Sequence, residues 1–126
     1  MENEFIPYEQ ALTLKELGFD EPCFGTWDKP DKLWTGNPVN GILDIPEDII
    51  LAPTYSQAFR WFREKYNEHT ILIPYCDSSG EVLSYRFEIV VQDYNLNDFE
   101  SECKNYTYEE AELECLKKLI EIVKNK

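Results

Sequence analysis

Residues 70–91 read Thr70-Ile71-Leu72-Ile73-Pro74-Tyr75-Cys76-Asp77-Ser78-Ser79-Gly80-Glu81-Val82-Leu83-Ser84-Tyr85-Arg86-Phe87-Glu88-Ile89-Val90-Val91. Leu83, Tyr85, Phe87, Ile89 and Val91 alternate with Ser84, Arg86, Glu88 and Val90, which is the period of a strand with one buried and one wet face. Residues 70–75 are rich in β-branched and aromatic types, and Asp77-Ser78-Ser79-Gly80 is a turn. The stretch predicts an antiparallel hairpin with a loop of about four or five residues.

Helical segments lie on either side of this hairpin. Before it, Pro53-Thr54-Tyr55-Ser56-Gln57 has the form of a capping box, with Thr54 as cap and Gln57 reaching back. Tyr55, Ala58, Phe59, Phe62 and Tyr66 follow within one narrow helical arc. After the hairpin, Thr107-Tyr108-Glu109-Glu110 is a second capping box. Ala111, Cys115, Leu116, Leu119, Ile120, Ile122 and Val123 cover about half of the helix that follows. Such a wide arc is either buried on the sheet or shared with a partner.

The N-terminal part reads as a short helix followed by strands and turns. Tyr8, Ala11, Leu14 and Leu17 form a helical stripe between Pro7 and Gly18, residue types suited to a helix start and to the residue after its end. Gly25-Thr26-Trp27 and Leu33-Trp34-Thr35 flank the turn Asp28-Lys29-Pro30-Asp31 and predict a hairpin. Ile42-Leu43-Asp44-Ile45 and Ile49-Ile50-Leu51 are candidate short strands, separated by Pro46 and so suited to a sheet edge. The order helix, strands, helix, hairpin, helix predicts a single α+β domain over residues 1–126, a small antiparallel sheet with three helices.

The chain has 126 residues, 25 Asp or Glu against 12 Lys or Arg, and a net charge of −13. That field repels phosphate, which argues against direct nucleic-acid binding and against anionic membrane surfaces. The longest apolar run, Ile49-Ile50-Leu51-Ala52, is far short of a membrane span. The N-terminus, Met1-Glu2-Asn3-Glu4, is acidic where a secretory leader is basic. The expected location is therefore the cytoplasm, with Cys23, Cys76, Cys103 and Cys115 as reduced thiols. No C-x-x-C pair or short Cys/His spacing suggests a metal, and no glycine-rich loop suggests a phosphate, so no metal or cofactor is expected. Cys76 and His69 are seven residues apart in or near one strand, a spacing that turns their side chains to opposite faces.

Three surfaces are candidates. The first is Arg60, Trp61 and Arg63, the basic and aromatic patch of the second helix, with Trp61 off the narrow arc and near the wet side. A half-exposed Trp beside Arg is the composition of an interface hot spot; the alternative is that Trp61 packs under the loop of residues 36–52. The second is the acidic stretch from Asp93 to Glu114, net −7, in which Asp98, Glu100, Glu102, Glu109 and Glu112 could imitate DNA phosphates toward a basic groove. Its plainer reading is a solvated loop and helix start whose acids suit the helix dipole. The third is the pair Trp27 and Trp34 beside the first hairpin turn, which either line a small-ligand cleft, of a binder or enzyme also using Cys76, or pack across the strands.

Three blocks also carry a resemblance. They are Phe5-Ile6-Pro7-Tyr8-Glu9-Gln10-Ala11 with Leu14-Lys15-Glu16-Leu17-Gly18-Phe19-Asp20-Glu21-Pro22-Cys23, then residues 52–66, then residues 107–124. Together they resemble a family of small acidic proteins from phages, prophages and mobile elements of gut Bacteroidetes. The resemblance implies a provenance and no chemistry. With the size and acidity of the chain it points to an accessory protein that binds a host or phage protein, with self-association through a strand edge or the last helix left open.

Overall fold

The computed structural model describes residues 4–39, 50–91, 99–100 and 105–125. Contacts divide the chain into two compact units, Met1–Ala58 and Phe59–Lys126. Each unit holds its own three-stranded antiparallel sheet. The α+β class agrees with the sequence reading, but the strands form two sheets instead of one. The reason is pairing at long range: β1 (Cys23–Lys29) pairs with β2 (Lys32–Val39) on one side and with β3 (Ile50–Ala52) on the other, and this completes a sheet before the second hairpin begins.

In the first unit, α1 (Tyr8–Glu16) ends as the sequence predicts. Gly18 takes a φ of +99°, its N–H donates to the Lys15 carbonyl and the Phe19 N–H to the Leu14 carbonyl. These are the two bonds of a Schellman cap, and the positive φ is the reason for glycine. Pro7 is the N-cap rather than the first helical residue, with extended ψ. Ala11 and Leu14 are buried, and α1 packs beside β3. The Pro30-Asp31 turn joins β1 to β2, with Lys29 opposite Lys32. Of the two candidate short strands, residues 50–52 form β3 at the sheet edge, and Ile42–Ile45 lie outside the described residues.

Gly25 fixes how the N-terminal segment seats. Phe5 bridges to Thr54, and the Ile6 N–H donates to the Pro53 carbonyl. This lays the Phe5 ring over β1. A Cβ at Gly25 would stand 2.7 and 2.8 Å from two Phe5 ring carbons and 2.9 Å from the Ala52 carbonyl oxygen. Glycine in a strand marks such a close approach.

α2 (Tyr55–Tyr66) spans the division between the units. Thr54 caps it, accepting from the Gln57 N–H at 3.2 Å. The reciprocal half of the predicted box is absent. The Gln57 side chain donates instead to the Pro22 carbonyl at 2.8 Å, a tertiary bond no local pattern reveals.

In the second unit, β4 (Glu68–Cys76) pairs with β5 (Val82–Val91) in regular register from Glu68↔Val91 to Tyr75↔Ser84. Asp77 organises the turn. Its Oδ1 accepts from the Ser79 N–H at 2.9 Å, the Ser79 hydroxyl at 2.6 Å and the Glu81 N–H at 3.0 Å. The Ser79 bond holds the Asp77 carboxyl below the usual carboxylate range. β6 (Phe99–Glu100) adds a third strand on the far side of β5, within the acidic stretch that the sequence reading treats as loop. α3 (Tyr108–Lys124) covers one face of β4 and β5 and buries Ala111, Cys115, Leu116, Leu119 and Ile120. Its box is complete: Glu110 N–H to Thr107 Oγ1 at 3.1 Å, and Thr107 N–H to Glu110 Oε1 at 3.0 Å.

Two substitutions test this account. Gly25→Ala destabilises by about 1–3 kcal/mol, because the Ala52 carbonyl cannot retreat as a side chain can. Adding Phe5→Leu recovers part of that loss, and urea unfolding of the single and double variants measures both. Thr107→Ala removes one arm of the α3 box and costs about 0.5–2 kcal/mol in the same measurement.

Candidate functional site

Strand parity decides which side chains can form a site. Cross-strand partners share a face, and Thr26 stands opposite Trp34 while Trp27 stands opposite Leu33. Trp27 and Trp34 therefore project from opposite faces of the hairpin, which rules out the predicted cleft between them. Trp27 has an internal task. Its Nε1–H donates to the Ile6 carbonyl at 3.0 Å, and its ring meets Tyr8 edge to face at 6.3 Å. It ties the N-terminal segment to β1.

Trp34 faces outward and is 54% exposed. On the same face, two residues along β1 from Thr26, stands Phe24, 60% exposed. The Lys32 ammonium sits 4.7 Å from the centre of the Trp34 ring, a cation–π contact. Phe24, Thr26, Lys32 and Trp34 thus make one outward surface with two exposed rings. The sequence reading misses Phe24. The available signal is its alternation with Cys23 and Gly25, both buried.

Trp61 is the second correction. It is 6% exposed, not near the wet side. Its ring packs edge to face on Phe62 at 5.1 Å and on Tyr66 at 5.6 Å, and the Lys65 ammonium lies 4.9 Å from its centre. Trp61 lies three residues beyond Ala58, so the buried arc extends further on that side than the large apolar residues suggest. Lys65, one turn on, covers the rest with its stem. Arg60 and Arg63 are exposed, but no exposed indole stands between them.

The acidic stretch is only partly described. Asp98 and Glu102 lie outside the described residues, and Glu100 belongs to β6, opposite Glu88. On α3, Glu109 is exposed and Glu112 half-buried. Two of their neighbours have local tasks: Glu110 closes the capping box, and Glu114 pairs with Lys117 at 3.3 Å.

In the second unit, parity sorts the long hairpin. Glu68, Phe87, Ile89 and Val91 are buried on one face, and α3 packs on this hairpin. The opposite face presents His69, Ile71, Ile73 and Tyr75 of β4 beside Val90, Glu88, Arg86 and Ser84 of β5. Ile71 is 46% and Tyr75 58% exposed. Arg86 pairs with Glu88 at 3.0 Å on this face.

His69 and Cys76 stand at the two ends of β4, about 23 Å apart at the usual strand rise, and His69 hydrogen-bonds Asn67 at 3.1 Å. Among the described residues no three His, Cys, Asp or Glu side chains gather as a metal site, and no helix is long and apolar enough to cross a membrane. No family model, curated protein or solved structure matches the chain.

The thiols differ sharply. Burial, reinforced by Glu21, pushes Cys23 up to about 12, and burial with Glu112 does the same for Cys115. At pH 8 about one such thiol in ten thousand is thiolate, the reactive form. Cys76 is exposed. In protein carrying Cys103→Ser, an aromatic disulfide reagent at pH 8 titrates one thiol of the three, Cys76, before denaturation, and all three after it. Cys76→Ser abolishes the native signal.

Proposed function

We propose that this chain is a small acidic accessory protein of a phage or mobile element that acts by binding another protein, of the host or of the phage. The provenance rests on the three sequence blocks described above. The mode of action rests on one observation: Phe24 and Trp34 stand exposed on the same face of the β1–β2 hairpin. Each ring leaves roughly 100–140 Å² open, and covering that area is worth about 3 kcal/mol per ring. Trp is enriched among interface hot spots. The net charge of −13 favours a partner whose contact surface is basic.

The test is affinity capture from a lysate of the bacterial host at near-physiological salt, with a charge-matched inert acidic domain as control. The chain captures a stoichiometric partner that the control does not. Phe24→Ala with Trp34→Ala weakens that partner's binding by about thirtyfold or more, in line with hot-spot losses of 2 kcal/mol and above. Arg60→Ala with Arg63→Ala serves as comparator. Recovery of nothing beyond the control, or a loss confined to the arginine variant, overturns the proposal.

A further inference from the structure

Among the described residues, the sheet of the second unit ends at β4. Its order is β4-β5-β6, so β4 has β5 on one side and no described strand on the other. The direction of its backbone groups follows from one bond. The Tyr85 N–H donates to the Tyr106 carbonyl at 3.0 Å, on the side of β5 away from β4. Tyr85 and its partner Pro74 are therefore a non-hydrogen-bonded pair, and the Pro74 nitrogen faces the open edge. That is where a strand tolerates proline, since no ladder bond is lost. Register is regular back to Glu68, so Thr70 and Leu72 share the outward direction while Ile71 and Ile73 bond to β5. The open edge offers the N–H and C=O of Thr70, the N–H and C=O of Leu72, and the C=O of Pro74.

This edge lacks most of the devices that blunt a strand. No Lys or Arg occurs from Glu68 to Cys76, and the register shift comes only after Tyr75. Beside it lie the exposed Ile71 and Tyr75. We propose that β4 takes up an extended, basic peptide segment of a partner protein as an added strand, with main-chain bonds to Thr70, Leu72 and Pro74 and apolar side chains against Ile71, Ile73 and Tyr75. Charge selects this occupant over a second copy of the chain. The turn at the end of β4 carries exposed Asp77 and Glu81, the only arginine of the open face is paired with Glu88, and the chain as a whole carries −13. A second copy meets that field with −13 of its own, whereas lysines and arginines of an incoming segment gain from it.

The experiment is selection from a displayed library of random linear twelve-residue peptides against the full chain, followed by residue-resolved amide exchange with the enriched peptides. Enriched peptides carry net positive charge and alternate apolar positions, and their binding slows exchange at Thr70 and Leu72 at least tenfold. Thr70→Pro removes one outward N–H and leaves the β5 ladder whole. Ile71→Lys puts a cation on an already exposed position. Each weakens binding tenfold or more, and the lysine variant keeps the test decisive if the proline variant fails to fold. Phe24→Ala with Trp34→Ala leaves these peptides unaffected. The proposal is overturned if nothing is enriched, if the peptides are acidic, or if protection falls elsewhere. It is also overturned if Thr70 and Leu72 become protected without peptide as protein concentration rises, which would assign the edge to a second copy.

Discussion

Which large apolar side chains stand exposed on the two sheets depends on strand parity. In the second unit, Leu72 opposite Phe87 places even-numbered β4 residues and odd-numbered β5 residues on the side of α3. Phe87 and Ile89 are then buried with Ala111, Cys115, Leu116 and Leu119 in the same unit. A slip of one residue would put Arg86 and Glu88 under the helix at a cost of several kcal/mol per unsolvated charge. The buried face thus holds the register, and the register leaves Ile71 and Tyr75 outside. In the first unit, Gly25 opposite Thr35 sets Phe24 and Trp34 on the outward face and turns Trp27 inward to Ile6 and Tyr8. Exposure of large apolar side chains is in both units a consequence of alternation around a buried set.

The features legible in the sequence are those written in a few consecutive residues. Both hairpin turns, the Thr107 box and the Gly18 cap follow from local chemistry: a Pro turn, an Asp that bonds three groups, a hydroxyl facing free N–H groups, a residue without Cβ at positive φ. What the sequence leaves open depends on partners far along the chain. The Gln57 side chain is drawn off to Pro22, 35 residues away, so a motif that reads as a closed box is half made. Trp61 is buried, packed on Phe62 and Tyr66 with the Lys65 ammonium over its ring, although a helical projection sets it off the narrow arc. Two sheets replace one because Gly25 finds Ala52, and the close approach of the Phe5 ring and the Ala52 carbonyl explains why position 25 has no side chain. Of the candidate sites, the two tryptophans were legible only as a pair beside the first hairpin turn; that Trp34 is exposed and Trp27 internal was not. Pairing register is needed to separate two tryptophans that sequence distance places together.

An open, apolar-flanked edge strand is a hazard to a protein that meets many copies of itself, since any extended strand can pair with it. Natural chains answer with lysines on the edge or with bulges, and β4 has neither before its last residues. Under the proposal above, the charge of the whole chain would answer instead. Repulsion between acidic molecules falls off over roughly 8 Å at physiological ionic strength, short enough to spare the fold and long enough to act as two sheet edges close to bonding distance. The same field attracts a basic segment over the same range. Under the proposal that β4 takes up a basic segment, one acidic composition would do two jobs: it would keep copies of the chain apart and leave the backbone of Thr70 and Leu72 to a partner of opposite sign. Under that proposal the acidity of the chain is part of how the β4 edge would tell a basic segment from a second copy.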